Sequence, residues 1–152
     1  MYKRQLSIPT VCAINGHAFG AGFMFALTHD VRVMREDRGF LCANEMQLGL
    51  PIPRPELALF RHKIPANAFF ETVQLSKRWT GRDALHAGIV QELSSFDEMT
   101  DVVQRKAEEL APLANNRKNY GHQKEMLFGE RAAINQIDGP AHMLKHSEDF
   151  NA

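Results

Sequence analysis

Hydrophobic and polar positions divide the chain into short segments of clear type. Thr10–Asn15, "TVCAIN", mixes β-branched and small residues and stops at Gly16, which predicts a buried strand. "AGFMFALTH" follows and is apolar nearly all round, as a short buried helix is. "DVRVMR" alternates Val31 and Val33 with polar residues and reads as a half-buried strand. "EDRG" (Glu36–Gly39) is a turn and "FLCA" another short strand. "LGLPIPRP" (Leu48–Pro55) is a stiff proline loop, and Pro55 suits the first turn of a helix, "ELALFRHK". After Pro65, "ANAFFETVQL" continues as a second helix.

Thr80 and Asp83 form a capping-box-like start to "GRDALHAG", with Gly88 as its stop. "IVQEL" reads as a strand. Ser95 and Glu98 make a second capping box, opening a helix with Met99, Val102, Val103, Ala107 and Leu110 on one face. From Asn115 the chain is polar and helical in character, with Gly121, Gly129 and Gly139-Pro140 as breaks. The order β-α-β-β-loop-α-α-α-β-α-α is that of an α/β protein with its strands towards the front. A buried strand so near the start needs neighbours on both sides, and few strands follow. The expectation is that the front of the sheet is missing.

Composition changes this picture little. A chain of 152 residues, 44% hydrophobic and 24% charged, can form one domain with a real core. Eighteen basic and eighteen acidic residues cancel to zero net charge, which argues against a dominant nucleic-acid partner. Ile8–Leu27 is uncharged, but Pro9, Asn15, His17 and the glycines interrupt it, so no membrane span is expected. Cys12 and Cys42 stand far apart in apolar surroundings and read as buried thiols. Neither CxxC nor HExxH occurs, so no metal site is expected.

Two places carry candidate chemistry. "NGHAFGAGF" is a glycine-rich turn entering a helix, with no acidic residue between Gly16 and Leu27. Phe25 holds the third glycine position of a dinucleotide fingerprint, and no GK[ST] closes a phosphate loop. The turn can still present unpaired backbone N–H groups to an anion or a developing oxyanion. The plainer alternative is that its small residues let helix and strand pack closely. The second place is Asn44-Glu45, set between "GFLCA" and "MQLGLPIP". A carboxylate there could be desolvated and suited to proton transfer. It could equally be a helix-capping or salt-bridged surface Glu. His17 and His29 are further proton carriers by type, although a lone His in an apolar run is usually a satisfied core residue.

Taken together, "IPTVCAINGHAFGAGFMFALTHDVRVM", "GFLCANEMQLGLPIP" and "RWTGRDALHAGIVQEL" resemble the enoyl-CoA hydratase/isomerase (crotonase) superfamily. The resemblance is firm from about Ile8 to Leu93. It implies a crotonase-like ββα spiral, partial here, over residues 1–93, and a helical region over 94–152 that serves oligomerisation. Within the superfamily the chain is most similar to the Δ3,Δ2-enoyl-CoA isomerases. Hydratases of the family use two glutamates, one in the helix after the glycine turn and one at the position of Glu45. Met24 stands at the first position, so Glu45 remains alone. Shifting a double bond needs one base that takes a proton from C2 and returns it at C4, whereas hydration must also position a water.

The resemblance assigns Glu45 as acid/base and the Ala21 N–H as a donor to the thioester oxygen. It places Gly20, Gly22, Met24 and Leu50 at the substrate. It implies an acyl-CoA thioester substrate, no cofactor besides the coenzyme A carried by that substrate, and a homotrimer or hexamer for the full-length protein. Peroxisome and mitochondrion are both open, and "DFNA" is not a peroxisomal SKL-type ending. The family's second oxyanion donor lies in an upstream segment resembling "FSxGxDL", and nothing like it occurs here. The expectation is therefore a chain lacking the amino-terminal part of the fold, weakly active or inactive by itself. Hydration, another crotonase-type reaction, and a non-catalytic acyl-CoA-binding or assembly fragment are the alternatives. Lys118, Lys124 and Lys145 could approach the phosphates of coenzyme A, but a solvated surface is the expectation for them.

Overall fold

The computed structural model describes residues 6–128. Among the described residues five strands form two sheets. β1 (Val11–Ile14), β3 (Val31–Arg35) and β5 (Glu92–Ser94) make one, in the order β1-β3-β5. β2 (Ala18–Phe19) and β4 (Leu41–Cys42) make the other. Every pairing in both sheets is parallel, with Val11 opposite Val31, Val33 opposite Glu92 and Ala18 opposite Leu41. Parallel neighbours need a crossover, and helix α1 (Ala21–Leu27) provides it between β1-β2 and β3-β4. The second pair of strands thus lies beside the first in the same order, and β5 adds the next turn. This is the ββα spiral expected of the sequence.

The core forms where helices close on the strands. α2 (Arg54–Lys63) carries proline in its first turn, and α3 (Ala66–Val73) starts directly after Pro65. Phe23 of α1 meets Phe60 of α2 edge-on, with ring centroids 5.3 Å apart and both side chains fully buried. Such a pair contributes about 1 kcal/mol beyond its area burial. α3 is tied in by a buried relay. The indole of Trp79 donates to Thr72 Oγ1 at 3.0 Å, and that hydroxyl donates to Ala68 O at 2.8 Å. α4 (Gly81–His86) starts at the capping box read from the sequence, with Thr80 Oγ1 accepting from Asp83 N. Gly88 closes it at φ 73°. Ser95 and Glu98 pair in the same way ahead of α5 (Met99–Leu110), which packs across β1 and β3.

Several expectations are corrected. β2 was not foreseen, because a two-residue strand in "HAFG" carries no periodicity. α1 is not buried all round: Phe25 is 47% exposed, while Phe23, Met24, Ala26 and Leu27 face inward. β3 does not alternate, because Arg32 is buried at 3% exposure. Its Nε donates to Ile89 O at 2.7 Å and its Nη1 to His29 O at 3.1 Å, at the carboxyl end of α1, where helix carbonyls favour a cation. Burial pushes this guanidinium down to about 10, opposed by the nearby Cys12 and Asp30. "IVQEL" becomes a strand only at Glu92, since Ile89 and Val90 are spent as buried plugs after α4. Ala107 is exposed although it shares a helix with the buried Met99.

Gly121 does not break the last helix, α6 (Arg117–Phe128). It lets that helix approach the start of the chain so closely that a Cβ there would collide with Ser7. Gly129 and Gly139-Pro140 lie outside the described residues, as does Lys145. Lys118 is exposed. Lys124 is not: it is 5% exposed and forms a 2.6 Å ion pair with Asp30. Its Nζ also donates to the carbonyls of Leu6 and Ile8. Asp30 in turn accepts from the Thr10 N–H and hydroxyl at 2.8 and 2.9 Å. One carboxylate thus gathers α6, the entry to β1 and the entry to β3. Removing one partner of a buried ion pair strands the other, which commonly costs about 3–5 kcal/mol. Asp30 keeps its Thr10 donors, so Lys124→Met is expected to destabilise the fold by about 2–3 kcal/mol. Urea unfolding checks this; an unchanged midpoint would mean that α6 is not held by this pair.

Candidate functional site

β2 and β4 set the site. Ala18 N donates to Phe40 O and Gly20 N to Cys42 O, both at 2.9 Å, so the two strand ends run out side by side. Beyond β2 the chain turns at Gly20 into α1; beyond β4 it runs into Asn44 and Glu45. Gly20 has φ 50° and ψ −118°, a conformation costly for a residue with a side chain. A side chain would also crowd its neighbours. A Cβ on Gly20 would lie 3.2 Å from Glu45 Oε1 and 3.5 Å from Asn44 Oδ1. The glycine is therefore required by its dihedrals, and its bare Cα also leaves room for the Glu45 carboxylate.

Just past Gly20, α1 has no side-chain cap, and Met24 is the first residue to donate into the ladder, to Gly20 O at 3.0 Å. The N–H of Ala21, at the exposed first position of the helix, therefore has no intrahelical acceptor. Glu45 begins a 3-10 turn, Met46–Leu48, and is partly buried. It caps nothing with its side chain. Its Oε2 is buried without a hydrogen-bond partner among the described residues. A buried oxygen of this kind is costly unless something else meets it. Its charge reaches Cys42: burial pushes that thiol up, Arg78 opposes the rise, and Glu45 adds to it.

The remaining expected site residues are placed less closely. Gly22 is exposed on the other flank of α1, bordering a pocket of about 170 Å³ lined by Ile14, His17, Phe25 and Ala26. Met24 lies in the hydrophobic core at 7% exposure. Leu50 is 54% exposed, but its N–H donates to Glu45 O at 2.9 Å, so it belongs to the loop that follows the glutamate. Met46 and Leu48 are also exposed there, giving the loop an apolar surface beside the carboxylate. His29 is a satisfied core residue, its Nδ1 3.0 Å from Phe25 O. His17 is exposed and stacks near Phe19 and Phe40, away from Glu45 in its contacts. Among the described residues no three His, Cys, Asp or Glu side chains gather as a metal site requires, and no helix is long and apolar enough to cross a membrane. Sequence reading paired Asn44 with Glu45 but gave Asn44 no role. Only the register of β2 on β4 reveals that its amide meets Gly20.

The family model for enoyl-CoA hydratase/isomerase matches residues 2–148. Enoyl-CoA delta isomerase 3 of Arabidopsis thaliana is 35% identical over 129 residues, covering 83% of this chain and 54% of that protein. The peroxisomal enoyl-CoA delta isomerase 2 of the same plant is 37% identical over 133 residues, 86% of this chain and 55% of its own length. A carnitinyl-CoA dehydratase from Salmonella is 33% identical over 113 residues, covering 72% of this chain and 43% of the relative. The chain thus spans about half the length of the curated relatives it matches. Among solved structures, an enoyl-CoA isomerase of Mycobacterium tuberculosis superposes with a TM-score of 0.78 at 23% identity, over 86% of this chain and 57% of that one. An enoyl-CoA hydratase/isomerase family protein of Pseudomonas syringae gives 0.80 at 20% identity, over 95% and 62%. These structures share the spiral of parallel strands. With a family match over nearly its whole length, the chain belongs to the enoyl-CoA hydratase/isomerase family.

Proposed function

We propose that this chain carries the proton-transfer half of an enoyl-CoA isomerase, which shifts the double bond of a 3-enoyl-CoA to the trans-2 position. The observation that carries the reading is Glu45, whose Oε2 is buried and without a partner among the described residues while its Oε1 sits against Gly20 at the mouth of α1. The plant relatives named as delta isomerases support the same chemistry. Glu45 removes a proton from C2, the C–H electron pair becomes the enolate double bond, and the carbonyl pair moves to the thioester oxygen. The Ala21 N–H donates to that oxygen. The C3–C4 double-bond pair then takes the proton from Glu45 at C4, the C1–C2 pair of the dienolate becomes the C2–C3 double bond, and the pair on oxygen re-forms the carbonyl. No atom is gained or lost, and no separate cofactor takes part.

In this reading Gly20 and Gly22 let the thioester approach the backbone, while Met24 and Leu50 belong to the walls of the acyl site. Met24 also leaves the helix without a second carboxylate, so no pair of acids is present to hold a water. The relatives labelled peroxisomal support a peroxisomal setting, and the family resemblance implies a homotrimer or hexamer for the full-length protein. A dehydratase among the relatives favours hydration or dehydration as the second reading. Incubating the purified full-length protein with crotonyl-CoA and with a 3-enoyl-CoA separates the two. Isomerisation is expected to exceed hydration by at least about 100-fold, and dominant hydration would overturn the assignment.

Glu45→Gln keeps the shape and removes the base, and is expected to lower kcat by about 10²–10⁴-fold. Unchanged turnover would remove Glu45 from the mechanism. Gly20→Ala places a methyl group against Glu45 Oε1 and strains the turn. It is expected to cut kcat/KM at least about tenfold and to cost roughly 1–2 kcal/mol of stability. Steady-state kinetics and thermal unfolding on the same sample check both effects.

A further inference from the structure

β1 is the edge of its sheet: among the described residues it pairs with β3 on one side and with no strand on the other. The ladder fixes which groups face outward. Val11 lies opposite Val31, and Thr10 O accepts from Val31 N at 3.1 Å. Thr10, Cys12 and Ile14 therefore turn their backbone groups to β3, while Val11 and Ala13 turn theirs to the open side. Such an edge is a template for another strand unless charge, proline or a bulge guards it. β1 holds no proline, no Lys, Arg, Asp or Glu occurs from Gln5 to His29, and Ala13 in the middle of the edge is small and exposed. Two apolar grooves border β1. One, of about 260 Å³, lies between Ile8, Val11, Leu110 and Ala114. The other, of about 170 Å³, lies between Cys12, Ile14 and Phe25. No residue of β3 lines either groove, so both open on the free side of β1. Side chains of an added strand point alternately to the two faces and enter the two grooves in turn.

We infer that a second copy of this 152-residue chain adds to the open edge, the two β1 strands running antiparallel about a two-fold axis near Cys12. In that register Val11 of one copy exchanges backbone hydrogen bonds with Ala13 of the other, and the reverse, so the outward groups of both strands are met. The second copy's Val11 and Ala13 fall on the side of the larger groove, and its Cys12 and Ile14 on the side of the smaller. One patch meeting itself must be self-complementary. This one is, because its apolar strands bring no like charges together. Arg117 is the one charged residue lining either groove, and it is exposed, so its guanidinium keeps its water. The inference is independent of the isomerase reading, since Glu45 follows β4 and takes no part in this edge.

The test follows self-association of the purified 152-residue chain by light scattering over a wide range of dilution, with amide hydrogen exchange read on the same samples. A dimer is expected. In it the Ala13 N–H is expected to exchange at least about tenfold more slowly than in the diluted monomer, while the Cys12 N–H, turned to β3, is slow in both. This comparison needs no variant. Ala13→Lys places an ammonium on the edge and is expected to raise the dimer dissociation constant at least about tenfold. Ala13→Val leaves the edge uncharged and is expected to keep the dimer, with circular dichroism checking the fold of both variants. A chain that stays monomeric at every concentration would overturn the inference and leave the edge to a strand of another polypeptide. An assembly whose Ala13 amide exchanges as fast as in the monomer, or one that survives Ala13→Lys unweakened, would overturn it as well, because it uses a different surface.

Discussion

The parallel pairing of β2 with β4 is the constraint on which the site depends. It consists of two residues on each side, and it is extended by the Gly20 N–H to Cys42 O bond. That bond sets Gly20 and Glu45 in contact although they are 25 positions apart in the sequence. A shift of one residue would turn β4's side chains to the opposite face. Glu45 would then leave Gly20, and Cys42 would leave its bond to Ser76 O. The rest of the molecule can be seen as holding this register. Trp79 brackets Leu41 through a pair of backbone bonds at 2.9 and 3.0 Å, and the indole is itself anchored on Thr72. Phe23 and Phe60 fix α1 against α2.

Polar groups secure the other end of the spiral. Arg32 and Lys124 are buried cations, and both are satisfied largely by backbone carbonyls where the chain changes direction. His29 O accepts from both Arg32 and Lys63, so the end of α1 is bound to β3 and to the end of α2. The site is therefore built on elements locked at both ends, as proton transfer to a defined carbon requires.

Much of this was legible in the sequence, and the gaps have physical causes. Both capping boxes, the proline-led α2 and the glycine turn into α1 depend on interactions within four residues, so local pattern finds them. β2 is too short to show a period. Arg32 breaks the alternation of β3 because its Nε is met by Ile89 O of the α4–β5 connection, 57 positions away, which no local window contains. Lys124 reads as surface because its partner, Asp30, is 94 positions away. At the site, the pairing of Gly20 with Glu45 was carried by resemblance, and the geometry supplies its reason. The nearness of Asn44 to the same glycine could not be read, because it follows from the β2–β4 register alone.

The account rests on one carboxylate that both removes and returns the proton. The direct measurement is the fate of deuterium placed at C2 of a 3-enoyl-CoA and followed by mass spectrometry during early turnover. A single shuttling Glu45 predicts that a measurable share of the label reaches C4 of the trans-2 product, the remainder exchanging with water from the carboxyl group. Complete replacement by solvent hydrogen from the first turnover, or label lost alongside accumulation of a 3-hydroxyacyl-CoA, would contradict it.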